Sequence, residues 1–175
     1  MRRKRGRRKE KRVRFLKLCL AGLLIVASLA LLELMKAETK VEPKNFIEMK
    51  VAGVELKDDY AIVRLRNGCK ELEFFVSSSQ GKAIEDARKG IEHKRPSTHD
   101  LLASTLEELG IRIIDVRITE LRRGIYYARL RVKDLLGVEH ELDCRPSDCI
   151  VLALKSGSKI LVARNLTRDT CAGLM

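Results

Sequence analysis

Five consecutive residues, Ile150 to Leu154, are apolar all the way round a helix. A helix of that kind has no face to offer water and has to be buried. It is entered from the alternating segment Val138 to Asp143, in which Val138, His140 and Leu142 are expected to point inward to the core and Glu139, Glu141 and Asp143 outward, the period of a strand. The joint between the two is a dense polar cluster, Arg145-Pro146-Ser147-Asp148. Pro146 suits the first helical turn, where its missing N–H costs nothing. Ser147 is a candidate cap and Asp148 suits the positive end of the helix dipole. A buried helix that starts this way presents backbone N–H groups, a hydroxyl and a guanidinium to an anion such as phosphate.

Phe46 to Lys57 alternates and then breaks at Gly53; Tyr60 to Arg66 and Leu72 to Val76 alternate as well, with turns at Asp58-Asp59 and Asn67-Gly68. These read as three antiparallel strands. A helix follows from the serines at 77–79 to about Glu92, with Ala83, Ile84, Ala87 and Ile91 as its apolar stripe. Thr98 to Leu109 is a second helix, with Leu101, Leu102, Thr105, Leu106 and Leu109 on one face and Gly110 as its stop. Ile111 to Leu121 and Ile125 to Lys133 form two strands around Arg123-Gly124, and Lys159 to Ala163 is a last short strand. The expected class is α+β, a mixed, largely antiparallel sheet of about six to seven strands packed with three to four helices, preceded by one transmembrane helix.

That preceding helix comes from the N-terminus. Residues 1–17 form a basic tail, 18–35 an almost unbroken apolar span, and 36–45 a charged linker. With Phe15 included, the apolar stretch reaches the roughly 20 residues needed to cross a bilayer. Positive charge stays in the cytoplasm, so the expectation is a single-pass cell-membrane protein with its folded body extracytoplasmic, and with membrane lipid as a partner of residues 1–35. The alternative is a cleaved, secreted form, with Ser28-Leu29-Ala30 as the cleavage site. The formal net charge is +12, but residues 1–35 hold 11 of the 36 Lys and Arg and only two acids. The rest has 25 basic against 22 acidic residues, so nucleic-acid affinity in the body requires a local patch, not a global field. The folded domain is expected at 46–166 and a loose C-terminal tail at 167–175.

Three blocks, Arg95 to Leu102, Ile118 to Leu130 and Asp143 to Gly157, resemble the bifunctional nuclease domain family, over roughly Met49 to Leu166. The resemblance implies the same fold class and hydrolysis of phosphodiester bonds in DNA, RNA or both, with nucleic acid as the substrate partner. Exposed sheet edges could also pair between copies into a homo-oligomer. A reading from another class is a non-catalytic, membrane-tethered binding or assembly module for an anionic ligand or a protein.

Nuclease chemistry needs an activated water or hydroxyl, charge neutralisation at the phosphate and help for the leaving oxygen. His99 is the best candidate base: in the first turn of a helix, the positive dipole end favours the neutral, proton-accepting imidazole. Asp100 and Asp148 are the other catalytic candidates, and together the ones to hold Mg²⁺ or Mn²⁺. Arg95, Arg145, Ser147 and Arg123 are candidates for substrate phosphate; the resemblance implies an acid near position 123, and Arg123 replaces that carboxylate with a phosphate-friendly cation. Each has a plainer reading, with Thr98, His99 and Asp100 as a capped helix start, Arg145 pairing a carboxylate, and Arg123 in a solvated hairpin. His93, near a helix end, and His140, on a sheet face, have weaker claims. Cys144 and Cys149 flank the Arg-Pro-Ser-Asp joint; buried thiols are the expected state, with a disulfide over the joint as the alternative for an exported body.

Overall fold

The computed structural model describes residues 45–171. The span expected at 18–35, with the basic tail and linker, lies outside them; among the described residues no helix is long and apolar enough to cross a membrane. The fold is α+β. Three strands come first: β1 (Phe46–Leu56), β2 (Tyr60–Asn67) and β3 (Lys70–Ser77). Helices α1 (Ser78–Lys89) and α2 (Thr98–Glu108) follow. Then come β4 (Arg112–Arg122), β5 (Ile125–Lys133), β6 (Glu139–Cys144), helix α3 (Pro146–Ser156), β7 (Lys159–Ala163), a 3₁₀ turn at Arg164–Leu166 and β8 (Arg168–Asp169).

One eight-stranded sheet has the order β6-β5-β4-β7-β1-β2-β3-β8. Every pairing is antiparallel except β4 with β7. The break expected at Gly53 is a register shift between Val51 and Gly53. Arg123 and Gly124 both have positive φ, 51° and 79°, the backbone of a two-residue hairpin loop that follows strand twist. Leu65, Val116, Ile118 and Val162 face α1 and α3 across an apolar core with Ile84, Ile150 and Val151, so the all-round apolar run is buried as its composition demands. The opposite face of the sheet is laced with ion pairs, among them Arg64 with Glu55 and Glu73, and Arg131 with Asp115 and Glu139.

Four expectations need correction. Leu101 and Leu109 are 63% and 57% exposed, because α2 packs on α3, not on the sheet, and its apolar stripe is only partly covered. Val138, His140 and Leu142 do share a face but are exposed, since β6 is an edge strand beyond the reach of α3. Residues 168–171 of the expected tail are not loose: β8 pairs with β3, and Cys171 is bridged to Cys69. Cys144 and Cys149 are also a disulfide, not thiols.

Candidate functional site

The two Arg-Pro-Ser joints start helices in different frames. In the first, Ser97 is the N-cap, so His99 and Asp100 are the second and third helical residues. In the second, Arg145 occupies the N-cap, Pro146 the first helical position, and Asp148 the third. Ser147 is therefore not the cap, and it is buried, with 3% exposure.

The helix starts meet. His99 Nε2 lies 3.2 Å from Asp148 Oδ1, across 49 residues of sequence. Arg145 clamps the same carboxylate, Nε donating to Oδ2 at 2.6 Å and Nη2 to Oδ1 at 3.1 Å. Burial alone would push the Asp148 carboxyl up, but the bonds from Arg145 and His99 outweigh it and hold the group below its ordinary value. Asp100 closes a capping box, accepting from the Ser97 amide and hydroxyl at 2.7 Å each, and pairs with Lys155 of α3. The Lys155 ammonium, then the Ser97 bonds, hold Asp100 well below the usual carboxylate range.

His99, Asp100, Ser97 and Lys155 line one wall of a cleft of about 210 Å³. The facing wall is α1 and the segment after it, with Lys82, Asp86 and His93. Here a second pair forms: His93 Nε2 lies 3.1 Å from Asp86 Oδ2, and Lys82 Nζ donates to both oxygens of Asp86 at 3.2 and 3.1 Å. Asp86, Lys82 and Lys155 were not foreseen from the sequence. The available signal was Asp86 itself, an acid set between Ile84 and Ala87 of an apolar stripe. A larger hollow of about 440 Å³ at the far ends of α2 and α3 is lined by Leu106, Glu107, Arg112 and Lys155, with no histidine; the acid–base groups sit in the smaller one. Arg95 is exposed and outside the cleft lining, and Arg123 is at the tip of the β4–β5 hairpin.

Residues 61–172 match the family model of the bifunctional nuclease domain. The chain belongs to that family. It is 31% identical over 119 residues to an uncharacterized protein of Mycobacterium tuberculosis, which covers 66% of this chain and 70% of the relative. It is also 31% identical over 98 residues to bifunctional nuclease 1 of Oryza sativa subsp. indica and to the bifunctional nuclease of Oryza minuta, covering 54% of this chain but 29% of each relative. Two of the three blocks that carry the family resemblance, Arg95 to Leu102 and Asp143 to Gly157, supply the His99–Asp148 contact. The third is the β4–β5 hairpin, and His99, Asp148 and the cleft make no described bond to it.

The donor set does not suit a divalent cation as it stands. Asp100 and Asp148 each already face a cation, Lys155 and Arg145. Among the described residues the one group of three close candidate ligands is Cys69, Asp169 and Cys171, and its sulfurs are tied up in a disulfide.

Proposed function

We propose that this chain is a nuclease that hydrolyses phosphodiester bonds in DNA or RNA at the cleft between α1, α2 and α3. The observation that carries the reading is the His99–Asp148 pair, joined across two helix starts and steadied by Arg145. A carboxylate on Nε2 holds that nitrogen as the protonated one and leaves Nδ1 to accept a proton from water. Lys155 and Lys82 supply positive charge to the phosphoryl oxygens as negative charge builds. The names of the rice relatives support the same activity.

Two disulfides support an extracytoplasmic body, since such bridges persist in oxidising compartments; the anchor at 18–35 rests on its hydropathy and flanking charge. A binding-module reading draws on one observation, that every carboxylate at the helix starts is already ion-paired.

The test is cleavage of DNA and RNA side by side by the full chain in mild detergent, with and without EDTA. His99→Ala and Asp148→Asn are expected to lose on the order of 10²–10⁴ in rate with unchanged circular dichroism, and EDTA to have no effect. Full activity in both variants removes the site; loss of activity with EDTA removes the metal-free scheme; binding of nucleic acid without cleavage by the parent chain establishes the module instead.

A further inference from the structure

Two histidine–carboxylate pairs, His99–Asp148 and His93–Asp86, each turn an imidazole to the cleft, and hydrolysis at His99 uses only one of them. His93 belongs to no helix and stands after the left-handed stop at Gly90. Its only described side-chain bond is to Asp86. Asp86 projects from α1 with its carboxylate largely buried at 12% exposure, an unusual place for an acid with no task. The geometry repeats that of the first pair: a carboxylate on Nε2, itself steadied by a cation, with Nδ1 left over. Both imidazoles line the same cavity.

We propose that His93, positioned by Asp86, is the general acid that protonates the leaving oxygen of the phosphodiester. This rests on the nuclease reading above. The two pairs differ in a way that divides the roles. His99 stands on the positive end of α2, and its carboxylate partner is clamped by two guanidinium bonds. His93 lies three residues past the left-handed stop of α1, and the cation on Asp86 is a lysine whose side chain is 64% exposed, so Asp86 is held less tightly than Asp148. The charged and titratable groups facing His93 in the cleft are Lys82 and Asp86 from α1, His99 and Asp100 from the start of α2, and Lys155 from α3.

The balance of the step is complete without a further reagent. Water gives a proton to His99 Nδ1 as its oxygen bonds to phosphorus. The bond from phosphorus to the leaving oxygen breaks, and that oxygen takes the proton from His93 Nδ1. Exchange with solvent then returns His99 to its neutral form and His93 to its protonated form.

A leaving group that needs no proton separates this role from a structural one. The full chain in mild detergent is assayed on a DNA or RNA oligonucleotide and on bis(p-nitrophenyl) phosphate, whose p-nitrophenolate departs unprotonated. His93→Ala is expected to lose 100-fold or more on the oligonucleotide and less than about 5-fold on the nitrophenyl ester. His99→Ala is expected to lose comparably on both. Asp86→Asn, as the positioning variant, is expected to shift the alkaline limb of the oligonucleotide pH–rate profile to lower pH while that of the nitrophenyl ester stays in place. Equal losses on the two substrates for His93→Ala, or no loss on either, overturn the assignment while leaving the nuclease reading intact. Absence of cleavage of both substrates by the parent chain overturns the nuclease reading itself, and the assignment falls with it.

Discussion

The two disulfides close loops of very different length, and their removal separates the stability of the fold from the integrity of the cleft. Cys69 and Cys171 are 102 residues apart and Cys144 and Cys149 only 5. In the chain-entropy account, cross-linking restricts the unfolded ensemble by about 2.1 + 1.5R ln n cal/mol/K. At 25 °C this is about 4.7 kcal/mol for the long loop and about 2 kcal/mol for the short one. With an unfolding entropy of about 2.1 cal/mol/K per residue, a body of about 130 residues should melt about 17 °C lower without the first bridge and about 8 °C lower without the second. The assay is urea unfolding and thermal melting of the paired variants Cys69→Ser with Cys171→Ser, and Cys144→Ser with Cys149→Ser, against the parent. Activity should move in the opposite order. The short bridge flanks Arg145 and Asp148, so its loss loosens the turn that presents the His99 partner and cleavage falls while the protein is still folded. The long bridge fastens β8 to the β3 edge and touches nothing in the cleft, so the folded fraction keeps its rate. Equal destabilisation by the two pairs, or a larger loss from the short loop, would refute the entropic reasoning; unimpaired cleavage without Cys144–Cys149 would refute the link to the cleft.

Three further outcomes follow from the packing and the ion pairs. Gly81→Ala replaces a glycine inside a helix, a change that normally gains up to about 1 kcal/mol, but here a Cβ would collide with the Ala61 side chain of β2; the expected result is a loss of about 1–3 kcal/mol in urea unfolding, and a gain would show that α1 can lift off the sheet. Ile150→Ala, at a fully buried position of α3, should cost about 2–5 kcal/mol, whereas Leu101→Ala on the exposed side of α2 should stay within about 0.5 kcal/mol. Arg88, with burial opposing it, brings the Glu85 carboxyl from 4.5 down to about 2. A depressed folded-state value stabilises above the unfolded value and is lost as pH falls, so stability should be level above about pH 4.5 and decline toward pH 2. Glu85→Gln should flatten part of that decline in urea midpoints measured between pH 5 and 3.

The strands were legible wherever one face was buried and the other wet. β1 to β3 announce themselves by alternation, because the core lies against a single side of the sheet, and β4, β5 and β7 by their apolar runs, with Asn67-Gly68 and Arg123-Gly124 as turns. The pattern could not say how far the cover extends. Leu142 alternates as a buried residue would, yet β6 is an edge strand and α3 stops short of it. The stripe of α2 reads as a core face and meets only α3. The Cys69–Cys171 bridge was out of reach because no local spacing relates residues 102 apart. At the site, His99, Asp148 and Arg145 could be named from their positions at helix starts, but their contact depends on α2 and α3 beginning at the same end of the molecule, which only the sheet order decides. Asp86 and His93 were obscured by their surroundings, one inside an apolar stripe and the other in an irregular connection.

The meeting of two helix N-termini imposes an electrostatic demand that the cleft residues answer. Each terminus carries about half a positive charge on unpaired backbone N–H groups, and His99 touching Asp148 brings the two ends together. Third-position acids, Asp100 and Asp148, supply the compensation, and each reaches back to its own N-cap residue, Ser97 in one case and Arg145 in the other. The same acids are thereby fixed in place for chemistry. Asp148 is held by its cap and so presents a constant orientation to His99, while Asp100 draws Lys155 into the cleft. Charge compensation and chemistry are therefore not competing readings of these residues. Removing the Asp148 charge should weaken the helix start and misorient His99 together, so Asp148→Asn should lose more in cleavage rate than its loss of stability accounts for. Arg145→Gln removes the clamp but keeps the carboxylate, and should retain much of the stability with a smaller loss of rate. A variant pair in which rate and stability fall in strict proportion would mean that Asp148 serves the helix alone.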